Sequence, residues 1–578
     1  MEVSTGPLGQ GISNAVGFAI AQSHFSSTYS TKDFPSIFDH YTYVICGDGC
    51  LQEGISSEAC SLAGHLGLGR LIVLYDDNLI TIDGSTDLSF TEDVNKRFES
   101  YGWHVQTVGD IENGVKDLRA SIEAAKSELG KPSLIKIRTT IGYGSFNEGT
   151  AATHGAPLKP DDLSQTKLKY GLDPSKHFQV PDDVSQAYEA RTELVESKRE
   201  AWEATYKKYK IAYPDKATEL ERRFNRELPD VCLDSLPTFA FGIDKPQATR
   251  KYSNICLNAV APILPELIGG SADLTPSNLT ALACSGDFQK DSPSGRYLRF
   301  GVREHGMAAI CNGLFAYGGI RPFCATFLNF AGYALGSIRV SALSQFGVLY
   351  IMTHDSIGLG EDGPTHQPVE MIESLRSMPN INVFRPADLN EMNAAYQVSL
   401  TNFKTPTVIC CSRSTVPALE NTTIEKGMKG AYILIGEEIK APDLILVSSG
   451  SEIGLCLAAL IKISEYGIKT RVVSMPCQEI FLAQSQQYQI SVLPGDIPTL
   501  SVEASAINGW HRFSHAQIGM STFGVSAPAD DVFKKFGFTD SNVAEKAKIL
   551  VEHYLKSGSV PKLMDRPIFD DNVEDGMH

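Results

Sequence analysis

The sequence has no C-x-x-C pair, no dense cysteine framework and no low-complexity tract. Its 12 cysteines are scattered over 578 residues, and the adjacent Cys410 and Cys411 sit in a strand-like run that reads as packing. Without a disulfide framework or metal-type cysteine spacing, a reducing, intracellular and cytoplasmic setting is expected. Positive charge is in deficit. Fifty-one Lys and Arg stand against 68 Asp and Glu, a formal net charge of -17. That excess repels a phosphate backbone and argues against a nucleic-acid partner. It leaves room for a local Arg and His cluster that takes small anions. No run is long and apolar enough to cross a bilayer, so no membrane partner is expected. The opening MEVSTGPLGQG lacks the basic-then-apolar order of a signal peptide. The closing EDGMH matches no lipidation or peroxisomal signal.

What is present is an ordinary globular composition, 42% hydrophobic and 21% charged. At roughly 150 residues per domain, the length fits three or four domains. Short β-rich runs alternate with helical stretches. YTYVICG and LIVLYDD read as buried strands with the helix SSEACSLAGHLGLG between them, and SLIKIRTTIG reads as a further strand. This β-α-β order implies a parallel sheet with right-handed crossovers. The charged stretch VSQAYEARTELVESKREAWEATYKKYK reads as a surface linker helix with a solvated face. A second alternating region carries LIGGSADL, RPFCATFL, GVLYIMTHD and TPTVICCSR, and a third carries AYILI, PDLILVSS, TRVVSMP and IPTLSVEA. The fold class expected is α/β, with three domains that each contain a parallel sheet. The chain opens on GPLGQG, a glycine-rich turn ahead of a helix with no strand before it. Phosphate-cradling loops usually follow a strand.

The sharpest chemical signal is GDG at 47–49, followed by Asn78 after the next strand. Asp48 and Asn78 then fall at the C-terminal ends of neighbouring parallel strands, where α/β sheets bind ligands. One carboxylate and one amide oxygen suit a hard divalent cation. Mg2+ takes few protein ligands and completes its octahedron with phosphate oxygens and water. The backbone carbonyl of Ile80 is a candidate third ligand, and Gly49 lets the backbone approach a phosphate. Alone, GDG is more often a plain turn; the spaced Asn in YDDN shifts the balance toward a metal and diphosphate site.

These residues resemble the metal-diphosphate motif of thiamine diphosphate enzymes. GPLGQG, GGSADLTPSN, RFGVREHGMAAI, THDSIGLGEDGPTHQP and FKKFGF extend the match, in order, to the transketolase family along essentially the whole chain. The resemblance implies three α/β domains of the thiamine diphosphate enzyme type. These are a diphosphate-binding domain over 1–210 lacking part of its N-terminal side, a pyrimidine-binding domain with its linker over 211–424, and a C-terminal domain over 425–578. It implies thiamine diphosphate with Mg2+ as cofactors, Ca2+ or another divalent ion being the alternatives. It also implies a homodimer with active sites at the subunit interface, sugar phosphates as substrates, and a place in the pentose phosphate pathway.

Residue by residue, the resemblance assigns Gly6, Pro7 and Leu8 to a cofactor-supporting loop. Glu304 matches the glutamate that hydrogen-bonds N1′ of the aminopyrimidine and relays a proton there. From the residues alone, Glu304 reads first as an ion-pair partner of Arg303. Phe327, Phe330 and Tyr333, spaced by three, read as a helix-core stripe; in the family the matching aromatics surround the aminopyrimidine, Phe330 most directly. Arg250, Ser277, His354 and Arg413 match residues that grip the sugar's terminal phosphate, and His366 is assigned to the same end. Guanidinium groups suit that task because they bind phosphate bidentately. Asp362 matches the residue that recognises the acceptor's α-hydroxyl. His154 matches one that contacts the diphosphate and the reaction centre, and His154 and His354 join Glu304 as candidate catalytic groups. Asp273 matches a substrate-channel residue, and Glu53 and Glu58 match carboxylates near the dimer interface.

Family members carry a substantial segment before GPLGQG, with a first strand and helix and several active-site histidines, and this chain shows no counterpart. The expectation is a fragment or a misplaced start codon, with exposed apolar surface where a strand and helix would lie. The alternatives are a shortened, catalytically incomplete paralogue that acts by subunit association, or a dihydroxyacetone synthase using formaldehyde as acceptor.

Overall fold

The computed structural model describes residues 2–563. Three large sheets follow one another along the chain, each from one of the three alternating regions, and a two-stranded ribbon pairs Ile80–Thr81 with Gly84–Ser85. The first is four-stranded and fully parallel, in the order Thr42–Gly47, Leu71–Asp77, Ser133–Arg138, His104–Asp110. The second has six parallel strands, in the order Asn382–Phe384, Thr407–Cys411, Leu349–Thr353, Arg321–Phe327, Leu267–Ser271, Tyr297–Arg299. The third has five strands, parallel except at one edge. Tyr432–Ile435 runs antiparallel to Thr470–Ser474, while Leu444–Ser448, Thr499–Ala506 and Ala516–Met520 continue in parallel. Central strands such as Leu71–Asp77, Arg321–Phe327, Leu349–Thr353 and Leu444–Ser448 are buried along nearly their whole length, as cover on both faces requires.

The first two sheets share one core. The helix Gln10–Tyr29 crosses the helix Glu304–Tyr317 so closely that a Cβ on Gly17 would lie 2.3 Å from the Ile310 carbonyl, and one on Gly313 would lie 2.1 Å from the Asn14 carbonyl. Val16, Ile20, Ile310 and Leu314 fill that crossing. The glycines therefore set the depth at which the two units meet. The charged stretch is a 31-residue helix, Asp182–Ala212, whose side chains are mostly exposed. It is anchored by Tyr209, whose hydroxyl donates to the Tyr29 carbonyl at 2.9 Å. At the outer edge of the first sheet, Ile45 is 75% exposed and Tyr43 48%. Among the described residues, no helix is long and apolar enough to cross a membrane.

The second and third units meet through buried carboxylates. Glu391, on the helix Leu389–Thr401, accepts from the Tyr432 hydroxyl at 2.7 Å and the Ser474 hydroxyl at 2.5 Å. Burial, with Asp388 beside it, pushes the Glu391 carboxyl up to about 7. A carboxyl raised on folding contributes stability below its unfolded value, about 4.3, and loses it as pH rises through the folded value. Thermal melts should therefore fall across about pH 4.3 to 7, and Glu391→Gln should flatten that slope. An unchanged slope in the variant would assign the pH dependence elsewhere.

Candidate active site

The two ligand candidates of the first unit stand where strand geometry puts them. Thr42–Gly47 and Leu71–Asp77 are in parallel register, Gly47 opposite Asp76, so Asp48 and Asn78 emerge together at the C-terminal edge. Asp48 opens the short helix Asp48–Gln52 and is 3% exposed. Its Oδ1 accepts from the Tyr75 hydroxyl at 2.5 Å, and its Oδ2 from the Leu79 amide at 3.2 Å. Burial raises its pKa, and the Tyr75 hydrogen bond opposes that shift. Asn78 Oδ1 accepts from the Ile80 amide at 3.0 Å, while Nδ2 donates to Asp76 at 3.1 Å. Leu79 between them takes a left-handed φ of 61°. That conformation costs a non-glycine residue of order 1–3 kcal/mol and clusters at ligand sites. Here it turns the chain so that Asn78 and Ile80 close around the strand end.

The candidate donors at this edge are one carboxylate, one amide oxygen and one main-chain carbonyl. These are hard oxygens that fit a magnesium ion completed by phosphate and water. Among the described residues, no group of three or more His, Cys, Asp or Glu side chains could hold a metal. The Gly6–Leu8 loop lies over it. A Cβ on Gly49 would sit 2.9 Å from Leu8 Cδ1, so the Leu8 side chain rests directly on the GDG turn. Gly6 and Pro7 are exposed, and Gly9 caps the following helix with φ 78°.

The second unit contributes a buried acid and an aromatic wall. Glu304 is 8% exposed at the first position of its helix, and the Thr326 hydroxyl donates to it at 3.4 Å. Burial raises its pKa, and nearby Glu58 adds to the shift. The ion pair with Arg303 does not form. That guanidinium donates to the Phe300 carbonyl at 2.8 Å and the Ser61 hydroxyl at 3.2 Å. Glu58 instead accepts from the Gly306 amide at 2.7 Å, which ties the first unit to the start of the Glu304 helix. Phe327, Phe330 and Tyr333 are not a helix stripe. Phe327 ends a strand, Phe330 ends a 3-10 turn, and Tyr333 lies 69% exposed on the next helix.

The phosphate candidates do converge. Phe327 stacks on His354 with ring centroids 3.7 Å apart, and Phe330 meets His366 edge-on at 5.2 Å. Burial first, then Arg250, Arg413 and His366, depress His354 to about 3, so it is a neutral imidazole near neutral pH. Arg250 donates to the Ser277 carbonyl at 2.6 Å, and Arg413 to the Leu359 carbonyl at 2.6 Å. Both of these partners are main-chain carbonyls, and Arg250 Nε is buried without a hydrogen-bond partner. Four segments thus bring Arg250, Ser277, His354, His366 and Arg413 to one cationic corner of an acidic protein.

Other candidates stay apart from these contacts. His154 is exposed on the loop after Ser133–Arg138, Asp362 is exposed in the turn before His366, and Glu53 is exposed at the start of its helix. Asp273, with φ 61°, lines a cleft of about 640 Å³ together with Ser61, His65, Arg299 and Arg303. The sequence reading missed Tyr75, which holds Asp48, and Gln10, whose side chain meets His305 at 3.0 Å. A tyrosine closing the apolar run LIVLY, just ahead of two aspartates, was the available signal for the first.

Residues 1–229 match the transketolase thiamine diphosphate binding domain, 245–418 the transketolase pyrimidine binding domain, and 430–539 the transketolase-like TK C-terminal domain. A probable transketolase of Schizosaccharomyces pombe is 50% identical over 560 residues, covering 96% of this chain and 81% of that protein. The chain belongs to the transketolase family. Transketolase 1 of Saccharomyces cerevisiae is likewise 50% identical, over 96% of this chain and 82% of its own length. Among solved structures, Pichia stipitis transketolase in complex with sedoheptulose 7-phosphate superposes with a TM-score of 0.95 at 48% identity, covering 98% of this chain and 84% of that one. Leishmania mexicana transketolase superposes at 0.93 and 46%, covering 99% and 83%. The family's activity, transfer of a two-carbon ketol unit from a ketose phosphate to an aldose phosphate, is the activity of this transferase, whose first unit is a thiamine diphosphate-binding domain. These relatives do not favour a formaldehyde-using synthase or a non-catalytic partner.

Proposed function

We propose that this transketolase works as a homodimer in which Asp48, Asn78 and the Ile80 carbonyl hold Mg2+, with one subunit's metal edge facing the other subunit's Glu304. The reading rests on one observation: the candidate groups fall into two separate sets. Among the described residues, no hydrogen bond or ion pair in one chain joins Asp48 or Asn78 to Glu304, Phe330 or the cationic corner. A two-fold dimer makes such halves meet twice.

In this arrangement the Gly6–Leu8 loop and Gly49 support the diphosphate, and Phe330 covers the aminopyrimidine. Bound thiamine diphosphate supplies the electron sink that carbon–carbon cleavage of a ketose requires. Glu304, held in a dry pocket with a raised pKa, holds and returns the proton at N1′. Arg250, Ser277, His354, His366 and Arg413 bind the terminal phosphate and so orient the sugar. Asp362 recognises the acceptor's α-hydroxyl, and His154 closes over the diphosphate side. Asp273 lines the channel, and Glu53 and Glu58 lie toward the dimer interface. The domain division is at 210/211 and 424/425, and the reaction serves the pentose phosphate pathway in the cytoplasm.

The dimer reading has a direct test. Asp48→Asn and Glu304→Gln chains, each inactive alone, are mixed and allowed to exchange subunits. A heterodimer then has one doubly defective site and one intact site. Random exchange should restore about a quarter of wild-type activity. No recovery, with exchange verified by mass, would place Asp48 and Glu304 in one subunit's site.

A further inference from the structure

The strand Leu349–Thr353 runs straight into His354 and Asp355, and the two neighbours serve different surroundings. His354 enters the cationic corner. Its Nδ1 meets the Thr353 hydroxyl at 2.8 Å, and Thr353 in turn donates to Asn278 at 2.6 Å, beside Ser277. Its backbone is strained, with φ 62° on a residue that carries a Cβ. Such a conformation persists only where the surroundings hold it.

Asp355, 3% exposed, supplies that hold. Its Oδ2 accepts from Arg385 Nε at 2.9 Å. Arg385 is fully buried and belongs as much to the third unit as to the second. Its amide donates to the Pro476 carbonyl at 2.8 Å, and its carbonyl accepts from the Gly450 amide at 2.9 Å. Its Nη1 donates to Glu452 and to the Ser449 carbonyl, and lies 3.6 Å from Glu503. Glu452 is itself fixed by the Ala504 amide at 3.0 Å and the Ser451 hydroxyl at 2.6 Å. Glu503 is fixed by Arg376 at 2.8 and 3.0 Å and by the Trp510 indole at 2.7 Å. A Cβ on Gly450 would lie 2.8 Å from Arg385 Cγ, so the third unit's loop lies flat on this side chain.

A second contact reaches the same corner. Arg413 donates to Leu359, in a turn that sits on the third unit. A Cβ on Gly358 would be 2.6 Å from the Phe533 ring, and Gln367 Nε2 bridges the Gly360 and Val525 carbonyls at 3.0 Å each. Buried charge networks of this kind lose their geometry when one member is removed, because the remaining charges are left without partners.

The geometry points to Glu452 as a positioning residue: acting through Arg385 and Asp355, it fixes His354 in the orientation that receives the substrate's terminal phosphate. The C-terminal unit thereby sets affinity for phosphorylated sugars without touching them. The inference rests on the phosphate-binding reading of the cationic corner given above.

The test compares two acceptors on the full chain with a common donor, ribose 5-phosphate and the unphosphorylated glycolaldehyde. Titration calorimetry with inorganic phosphate is the second readout. Glu452→Gln should raise KM for ribose 5-phosphate about 10-fold, the order seen when the support of a ligating group is removed. It should weaken phosphate binding alike and leave kcat and the glycolaldehyde KM within about twofold. Glu452→Asp, which keeps the charge, should recover part of the loss. Should Glu452→Gln fail to fold, Asp355→Asn leaves the Glu452–Arg385 pair intact and carries the same expectation. Equal effects on both acceptors, or none, would overturn the proposal. Arg413→Ala separates the two readings: if it discriminates between the acceptors and the Glu452 and Asp355 variants do not, only the positioning role falls. If Arg413→Ala does not discriminate, the phosphate reading falls and takes the positioning role with it.

Discussion

Asp48→Asn should lower the affinity for thiamine diphosphate, measured with Mg2+ present, by at least about 100-fold. The argument starts from charge. Asp48 is the one ionisable side chain among the three proposed ligands, and a diphosphate is drawn to this edge of an acidic protein only through a cation. Removing the carboxylate leaves two neutral oxygens for the metal. The expected change in apo stability runs the other way. Burial raises the Asp48 pKa and nearby Asp77 and Asp76 add to the shift, so the free carboxylate is a cost to the folded state near neutral pH. The apo variant should therefore melt no lower than the wild type. Ligand protection should vanish instead. At a cofactor concentration 100 times its Kd the wild type gains about 2.7 kcal/mol, and a 100-fold weaker variant gains about 0.4 kcal/mol at the same concentration. A thermal-shift titration reads the difference. Undiminished protection in Asp48→Asn would remove Asp48 from the metal site.

The placement of Asp48 and Asn78 at one strand edge was legible because sequence and geometry share a register. Two continuous apolar runs make two buried parallel strands, so a polar residue just past each run must emerge at the same edge. The Arg250, Ser277, His354 and Arg413 corner had no such signal. Its members come from four segments, and only resemblance to the family grouped them. Strands of low apolar content also escaped notice: HVQTVGD is largely polar, and Tyr297–Arg299 and Asn382–Phe384 have three residues each. The Phe327, Phe330 and Tyr333 spacing imitates a helix face because a strand end, a 3-10 turn and a helix start happen to follow one another. Arg385 reads as an ordinary surface arginine. Its burial is decided by Glu452 and Glu503, 67 and more than 100 positions away, and no local pattern encodes a tertiary ion pair of that reach.

Glu304→Gln should cut ketol transfer by about 10²–10⁴-fold, the range for loss of a positioned proton-transfer group, while thiamine diphosphate affinity changes far less. Glutamine keeps the shape and can still hydrogen-bond, but it cannot hold and return a proton at N1′. The stability consequence separates this role from a structural one. Burial and the neighbouring Glu58 raise the Glu304 pKa, so its folded-state pKa lies above its unfolded value. The group therefore favours folding below the unfolded value and loses that contribution as pH rises through the folded value. Once ionised, the carboxylate is a burden on the apo protein, with no Arg303 ion pair to relieve it. Glu304→Gln should accordingly melt at or above the wild-type temperature at pH 8, with the advantage shrinking toward pH 4. Activity lost while stability is held or gained is the signature of a group retained for chemistry. Activity and melting temperature falling together would instead make Glu304 a structural acid, and the proton-transfer role assigned to it would have to move to another residue.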